Sequence, residues 1–504
     1  MTAPSSRDPS TAPMSSWDIS GLPHLIPVPV DDDLQPIGGI PAGATGTWLF
    51  VAPAKALLNK EAPDRMSAAA LDARPDIDIL YADSAVISGR SIRELRCKPD
   101  FNPALLWAKD YIGLPLLIRA SAFARLGGLR PEHGAACWYE FCLRAHRAGT
   151  AFGRIATTLI GAPTGSDRPD TAARKIVLEQ IVAEEALPFE IRPGLAPGAF
   201  QLRRIFRDHP PVSLVIPTRQ SGPKDGPPHI IGLLRSIEGS SWPLDRIRIV
   251  IGDDVEDDGI YREHAAKLDI RRIVTTRREA EPFNYAAKMN RLWREADTEL
   301  LVLMNDDMTI RSADWLEALF TFAMEPDVGG VGARLLFPDG RIQHAGMVGG
   351  LYGGCGHPWW GLPAEAPTYQ DWANVHRDWC AVTGAAFATR RSVLEAANGF
   401  DERFSLEFND VDLCLRLKTL GYRIVYTPHA ELIHHERASR GETLRPGEEV
   451  ALFLKRWRDF LADDPMYSPQ LVRYADVQPR AESYKVGWSA LASRSPGRRA
   501  VITN

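Results

Sequence analysis

The clearest pattern along the chain is a series of short apolar segments that end in polar or turn residues. Residues 212–216, 246–251 and 300–304 are such segments, and the last contains five apolar residues without interruption. A run of this kind is typical of a strand buried on both faces of a sheet. Helical stretches are expected between them, at 229–238 and 283–296. Alternating strands and helices predict an α/β fold with a doubly wound, mostly parallel sheet.

The predicted strands end in residues that could carry chemistry. These residues are Pro217, Thr218, Asp253, Asn305, Asp306 and Asp307. Open α/β sheets bind ligands outside the carboxyl ends of their strands, so several strand ends could converge on one ligand. Oxygen ligands of this kind suit Mg²⁺ or Mn²⁺, which usually accompanies a phosphate. The plain alternative for residues 305–307 is an acidic turn after a core strand.

Two further positions could complete such a site. Asn409 and Asp410 lie at the start of a predicted helix, where a carboxylate could accept a proton from an incoming hydroxyl. His434 and His435 follow a late, short strand, where an imidazole could join a carboxylate as a metal ligand. Asn409 is also explained as a helix N-cap, and a histidine at a strand end as a structural residue. These residues alone predict a nucleotide-phosphate site, not a named reaction.

Composition narrows the class of protein. The chain has 504 residues, of which 45% are hydrophobic and 24% charged, as in a globular protein of several domains. Its formal net charge of -5 argues against a general nucleic-acid binder. Six cysteines without a CxxC pair favour reduced, cytoplasmic thiols over a zinc knuckle or a disulfide scaffold. No run approaches the roughly 20 apolar residues of a membrane span. The Ser- and Pro-rich start lacks a signal-peptide core.

Several segments of the second half resemble family 2 glycosyltransferases of the GT-A fold, in particular bacterial rhamnosyltransferase and O-antigen-type members. The segments are VSLVIPT (212–218), VIGDD (250–254), EPFNYAAKMN (281–290), NDD (305–307), TGAA (383–386), GFDE (399–402), FNDVDLCLR (408–416) and HHERASRG (434–441). The match covers roughly residues 211–470 in the order that the family has.

The resemblance implies a set of residues that bind a nucleotide-diphosphate sugar. That set is Pro217, Thr218, Asp253, Asn284, Asn305 and Asp306. The base and ribose would lie on the first strand ends, and the diphosphate near Asn305 and Asp306. Asn305 departs from the family pattern, because it replaces the first carboxylate of a DxD motif.

The resemblance also implies a metal and a base. Asp307 and His434 would ligate Mg²⁺ or Mn²⁺, with His435 as the less favoured alternative. Asp410 would be the general base of an inverting displacement. Asn409 stands where many relatives have Glu, which we expect to be tolerated because the base is the next residue.

The implied activity is metal-dependent, inverting transfer of a sugar to a hydroxyl of a bacterial surface glycan, either free or lipid-linked. No nucleic-acid partner is expected. The protein would be located in the cytoplasm. Whether it associates with the inner face of the membrane and whether it forms homo-oligomers both stay open. Two alternatives also stay open. One is a catalytically silent glycan-binding or scaffold subunit of a polysaccharide assembly complex, and the other is a nucleotidyltransferase that releases pyrophosphate. The sugar, nucleotide and linkage are not given by the sequence.

Residues 46–162 repeat the second half in order. Residues 47–51 correspond to 299–303, residues 118–130 to 388–402, and residues 138–144 to 410–416. The repeat lacks the chemical groups: Trp138 stands at the position of Asp410, residues 52–54 (Ala-Pro-Ala) lie near that of 305–307, and residues 158–161 contain no histidine. We therefore expect a truncated, degenerate GT-A-like domain that packs on the active one or dimerises with it.

The predicted domain organisation follows from these segments. It consists of an irregular N-terminal tail (1–45), the degenerate GT-A-like domain (46–192), a linker (193–210), the catalytic GT-A domain (211–445), and a C-terminal helix with a tail (446–504).

Overall fold

A computed structural model describes residues 22, 24–38, 40, 46–165, 170–275, 283–435, 446–474 and 477–489. The first residues of the predicted tail lie outside this range. So do the first two residues of the 281–290 segment, the last six residues of the 434–441 segment and the chain beyond residue 489.

Strands and helices alternate along most of the described chain. The strands are β1 (Leu25–Val30), β2 (Trp48–Pro53), β3 (Leu57–Leu58), β4 (Ile77–Ser88), β5 (Ser91–Arg96), β6 (Leu116–Arg119), β7 (Ala151–Pro163), β8 (Phe189–Pro193), β9 (Phe200–Arg204), β10 (Val212–Thr218), β11 (Ile247–Asp253), β12 (Asp269–Val274), β13 (Leu300–Met304), β14 (Met308–Ile310), β15 (Val328–Leu336), β16 (Ile342–His344), β17 (Val348–Gly349), β18 (Cys355–Gly356), β19 (Arg377–Trp379), β20 (Ala386–Arg390) and β21 (Arg423–His434). The helices are α1 (Ala62–Asp72), α2 (Pro103–Ala108), α3 (Ala120–Arg125), α4 (Cys137–Arg147), α5 (Thr171–Glu184), α6 (His229–Ile237), α7 (Arg262–Ala265), α8 (Tyr285–Glu295), α9 (Trp315–Ala323), α10 (Arg391–Ala396), α11 (Asn409–Thr419) and α12 (Pro446–Ala462). None of these helices combines the length and apolar character that crossing a bilayer requires.

The chain divides into two compact units, neither of which is continuous in sequence. Unit 1 contains residues 1–98, 112–174 and 479–504, and unit 2 contains residues 99–111 and 175–478. The division falls within α5 rather than in the predicted linker. The linker itself is partly folded, because β8 and β9 form an antiparallel hairpin. Alternate apolar residues of β9, Phe200 and Leu202, are buried.

Unit 2 is built on a ten-stranded sheet. The strand order is β12–β11–β10–β13–β20–β15–β21–β14, with β16 paired to β15 and β19 to β21. The four strands from β12 to β13 are parallel. The carboxyl ends of β10, β11 and β13 therefore lie at one edge of the sheet, which we call the ligand edge. The predicted α/β fold with a mostly parallel sheet is confirmed.

Glycines in β15 allow close packing in the sheet of unit 2. Every residue of β10, β13 and β15 is buried. A Cβ on Gly330 in β15 would lie 2.1 Å from Cζ of Phe387, and a Cβ on Gly332 would lie 2.5 Å from Cβ of Val382. These glycines allow neighbouring side chains to contact the backbone of β15 directly.

Unit 1 contains a seven-stranded sheet of order β1–β2–β6–β4–β7–β3, with β5 paired to β4. Along this order the strand pairs are parallel, antiparallel, antiparallel, parallel and antiparallel. The path β10–β13–β20–β15–β21–β14 in unit 2 has the same succession of directions. The two sheets thus share one strand order.

The same helix anchor occurs in both units. In α11, Arg416 donates to Asp412 Oδ2 (2.8 Å) and to the carbonyls of Ala397 and Gly399 (2.6 and 2.7 Å). In α4, Arg144 donates to Glu140 Oε1 (2.7 Å), to the Gly128 carbonyl (2.9 Å) and to the Leu126 carbonyl. The spacing between arginine and carboxylate, four residues back along the helix, is identical.

Two predictions about the chain ends are wrong. Residues 25–30, expected in an irregular tail, form β1 and pair in parallel with β2. Pro27 and Pro29 suggested irregular structure, but β1 lies at the end of the strand order, where prolines are tolerated. Near the other end, Trp488 is buried, and its Nε1 donates to the Arg90 carbonyl at 3.0 Å. Residues 479–489, predicted as part of the C-terminal tail, therefore belong to unit 1.

Gly330→Ala should lower the melting temperature of the protein, because the new methyl group would overlap the Phe387 ring. Overpacking of a buried site lowers the free energy of unfolding by roughly 1–3 kcal/mol, which corresponds to at least a few degrees of melting temperature. Gly232→Ala is the matched control. Gly232 is exposed in α6 with no atom within 4 Å of where an alanine methyl group would lie, and alanine favours the helix by up to ~1 kcal/mol. Equal melting temperatures for the two variants would contradict this packing.

Candidate functional site

Asp253, the last residue of β11, organises one part of the ligand edge. Its Oδ2 accepts hydrogen bonds from Tyr261 (2.7 Å), Gln220 (2.9 Å) and Arg272 (3.0 Å), and Oδ1 accepts from the Val255 N–H (3.0 Å). Burial alone would raise the pKa of Asp253, but these hydrogen bonds lower it below its usual value. The carboxylate therefore fixes the loops that follow β10 and β11.

Thr218, the last residue of β10, links these loops to the acidic residues after β13. Its hydroxyl donates to Asp306 Oδ2 at 2.5 Å and accepts from the Gln220 N–H at 2.9 Å. Lys288 Nζ donates to the Thr218 carbonyl (3.0 Å) and to Asp254 Oδ1 (2.8 Å). Burial lowers the pKa of Lys288, while Asp254 opposes this effect. Pro217, the residue before Thr218, is buried in β10.

The two carboxylates after β13 are both buried, and their pKa values are shifted in opposite directions. Asp306 is 8% exposed and Asp307 is 4% exposed. Burial, together with the negative charge of Asp307, raises the pKa of Asp306 to about 6. Burial would also raise the pKa of Asp307, but contact with His434 outweighs it and lowers that pKa. Asp307 is therefore the more acidic member of the pair.

Asp307 and His434 face each other across the ends of β13 and β21. His434 Nε2 lies 3.2 Å from Asp307 Oδ1, a buried oxygen without a hydrogen-bond partner. His435 is placed differently. Its backbone N–H donates to the Asp307 carbonyl (2.9 Å), and its ring nitrogen Nε2 lies 3.0 Å from Thr309 Oγ1. The geometry therefore favours His434 over His435 as the partner of Asp307.

Asp307 and His434 fit a divalent cation as two ligands, because an orphaned buried carboxylate oxygen faces an imidazole nitrogen. Within the described ranges, no group of three acidic, histidine or cysteine side chains could hold a metal ion. Further ligands would have to come from phosphate oxygens and water, as is usual for Mg²⁺.

Asp410 lies in the first turn of α11. Its Oδ2 accepts from the Gly384 N–H at 2.8 Å, and its Oδ1 accepts from the Val411 N–H at 2.8 Å. A Cβ on Gly384 would lie 3.1 Å from the Asp410 Cβ, so a small residue is needed there. Phe408 precedes the helix with a φ of 59°, in the left-handed region. The carboxylate is thus held by two backbone N–H groups.

Tyr285, at the start of α8, contacts the turn that follows β13. Its hydroxyl donates to Asn305 Oδ1 at 3.4 Å. Burial raises the pKa of Tyr285, and the negative charges of Asp410, Asp307 and Asp306 raise it further. The Asn305 N–H donates to the Ala385 carbonyl at 3.1 Å, and the neighbouring Gly384 N–H donates to Asp410, so the candidate base lies beside the turn that carries the candidate metal ligand.

Two amides make local backbone contacts. Asn284, whose predicted donor-binding role stays a prediction, is the N-cap of α8: its Oδ1 accepts from the Ala287 N–H (2.9 Å) and its Nδ2 donates to the Glu402 carbonyl (2.8 Å). Asn409, explained above as an N-cap, is instead the first residue of α11 and donates to the Leu406 carbonyl at 2.8 Å. Both side chains are occupied in local backbone contacts.

The structure brings most candidates together at the ligand edge and adds residues that sequence reasoning missed. The added residues are Gln220, Tyr261, Arg272, Tyr285, Lys288 and Gln343. Tyr285 and Lys288 lie in the 281–290 segment, and the resemblance of that segment to the family could have identified them as candidates. No sequence motif marked Gln343 as a candidate, because it comes from a distant part of the sheet.

Comparison with known proteins gives a consistent result. The model of a family described as "Glycosyltransferase like family 2" matches residues 209–447. The O-antigen biosynthesis protein RfbC of Myxococcus xanthus is 34% identical over 414 residues, which are 79% of this chain and 32% of that protein. The N-acetylglucosaminyl-diphospho-decaprenol L-rhamnosyltransferase of Mycobacterium tuberculosis is 32% identical over 146 residues, which are 27% of this chain and 47% of that protein. The chain thus spans less than half of either relative.

Among solved structures, the chain is similar to the mannosyltransferase PcManGT from Pyrobaculum calidifontis in complex with GDP-Man and Mn²⁺. The two are 18% identical, with a TM-score of 0.34, over 58% of this chain and 74% of that one.

Asp306→Asn should change how stability depends on pH. The folded-state pKa of Asp306, about 6, lies above its ordinary value of about 3.9, so its stabilising effect is complete at low pH and is lost as pH rises through 6. In EDTA, the wild type should therefore lose about 1 kcal/mol relative to Asp306→Asn between pH 5 and pH 7, or about 2–4 °C in melting temperature. A difference that stays constant over this range would contradict the shift.

Proposed function

We propose that this chain, whose residues 209–447 match the glycosyltransferase family 2 model, transfers a sugar from a nucleotide-diphosphate donor to a hydroxyl of a bacterial surface glycan. The observation that carries the proposal is the placement of Asp410 and the Asp307–His434 pair on either side of the contact between Asn305 and Ala385. The names of the relatives, O-antigen biosynthesis and rhamnosyl transfer to a diphospho-decaprenol-linked sugar, support a glycan acceptor, free or lipid-linked. Rhamnose is the sugar that this analogy favours.

The donor would lie along the ligand edge. The nucleoside would contact the loops that Asp253 and Thr218 fix, and the diphosphate would reach Asn305 and Asp307. Asp307 and His434 would hold Mg²⁺ or Mn²⁺, which would neutralise the charge that develops on the leaving diphosphate. The protein's part is to keep Asp307 ionised and both ligands in place before the donor binds.

Asp410 would act as the general base. Its carboxylate takes the proton of the acceptor hydroxyl while the oxygen forms a bond to the anomeric carbon of the donor. The bond between that carbon and the diphosphate oxygen breaks, and a nucleoside diphosphate leaves. Since attack and departure occur on opposite faces, the anomeric configuration is inverted. Gly384 and Val411 hold the carboxylate through their N–H groups.

Unit 1 would be a degenerate copy of the catalytic unit without activity. Trp138 occupies the helix position that Asp410 has in α11, and its indole N–H donates to the Leu34 carbonyl at 2.9 Å. An indole cannot serve as a general base. The arginine anchor keeps α4 in place, although the helix has no carboxylate at the position of the candidate base. A scaffold role for the whole chain is the alternative that unit 1 favours.

Asp410→Asn should lower the rate of nucleoside-diphosphate release by about 10²–10⁴-fold, because the amide cannot take a proton. The assay supplies UDP-, dTDP- and GDP-sugars with Mn²⁺ and measures slow donor hydrolysis. Binding of the nucleoside diphosphate should change little. Asp339→Asn, in an exposed turn, is the control and should match the wild type.

Three outcomes would count against this function. Near-wild-type turnover by Asp410→Asn would remove its assigned role. A wild type that neither binds nor hydrolyses any of the donors in Mn²⁺ would favour the scaffold. Release of pyrophosphate would identify a nucleotidyltransferase instead.

A further inference from the structure

Gln343 lies at an irregularity in the sheet of unit 2. The pairing of β15 with β16 matches Leu335 with His344 and Leu336 with Ile342, so one step along β15 opposes two steps along β16. Gln343 is the extra residue of this β-bulge. Bulges redirect a side chain, and they are common beside active sites.

The redirected side chain contacts the candidate metal ligand. Gln343 Oε1 lies 2.6 Å from His434 Nδ1, and Gln343 is buried with 6% exposure. A glutamine Oε1 can only accept, so Nδ1 carries the proton in this contact. Nε2, the other ring nitrogen, lies 3.2 Å from Asp307 Oδ1 and is the nitrogen left to coordinate a metal.

The geometry points to Gln343 as a positioning residue that holds His434 in the orientation and tautomer required for metal binding. The inference rests on the proposed function, since it concerns the same metal. A ligating histidine almost always donates its other N–H to an acceptor, which fixes the ring and strengthens the ligand. No other contact described for His434 Nδ1 supplies that acceptor in the structure.

Neither of the two neighbouring histidines, His344 and His435, contacts Gln343 in this way. His344, the next residue in β16, is fully buried, and its Nδ1 lies 3.0 Å from Nδ1 of His357. His435 faces Thr309 instead of Gln343. Substitution of Gln343 should therefore weaken metal binding through His434 and leave the other histidine contacts unchanged.

The test measures the affinity of Mn²⁺ in the presence of UDP, dTDP or GDP, using whichever nucleotide binds the wild type most tightly. Electron paramagnetic resonance of free Mn²⁺ gives the dissociation constant without any turnover. Gln343→Leu keeps the size of the side chain but removes the acceptor, and should weaken Mn²⁺ binding about 10–100-fold. Gln343→Glu keeps an acceptor at the same reach and should stay within about threefold of the wild type.

Thr309→Val is the matched control, because it removes the partner of His435 and leaves His434 untouched. It should bind Mn²⁺ as the wild type does. Melting temperatures of all variants show whether Gln343→Leu acts through the fold.

The outcomes separate the inference from the proposed function. If the wild type binds Mn²⁺ and Gln343→Leu binds it equally well, the positioning role is wrong and the proposed function stands. If Gln343→Glu loses affinity as Gln343→Leu does, the acceptor is not what matters, and the role is again wrong. A wild type that binds no Mn²⁺ with any of these nucleotides overturns the metal site itself and the inference with it.

Discussion

The site depends on how a buried carboxylate is kept charged. Asp307 is 4% exposed, and a carboxylate at that depth ionises only with a partner. His434 is that partner, and Gln343 behind it fixes which ring nitrogen faces the carboxylate. Asp306, one residue earlier, shows the opposite result, since burial beside a charged neighbour raises its pKa to about 6. The pKa values of these adjacent residues are therefore shifted in opposite directions because their contacts differ.

The sheet explains why these contacts form. Parallel pairing of β10, β11 and β13 brings Thr218, Asp253 and residues 305–307 to one edge. The end of β21 pairs antiparallel with β14, where Met308 lies opposite His434, and this pairing places His434 beside Asp307. Asp410 comes from a helix and is held by Gly384 just before β20. The site is thus assembled from strand ends far apart in sequence.

Much of this arrangement could be predicted from the apolar segments and the polar residues that end them. The strands at residues 212–216 and 300–304, the helix bearing Asp410 and the role of the strand ends follow from local pattern. Gln343 could not be predicted, because a bulge redirects it and no local signal marks a bulge. Nor could β1, because its prolines are tolerated only at a sheet edge, and edges are defined by tertiary pairing. The cap role of Asn284 was not recognised from the sequence, because a helix cap and a ligand contact use the same amide.

The two units have part of their framework in common. Strand order, strand direction and the arginine anchors of α4 and α11 are shared, since they maintain the fold. Asp410 is the second residue of α11, and the second residue of α4 is Trp138.

In the proposed mechanism, His434 would be the nitrogen ligand of the metal. Pulsed electron paramagnetic resonance of Mn²⁺ bound with a nucleoside diphosphate detects a coordinated nitrogen directly. Nitrogen coupling is expected in the wild type and in His435→Ala, and its loss is expected in His434→Ala. Coupling that survives in His434→Ala, or that is absent from the wild type, would contradict this role of His434.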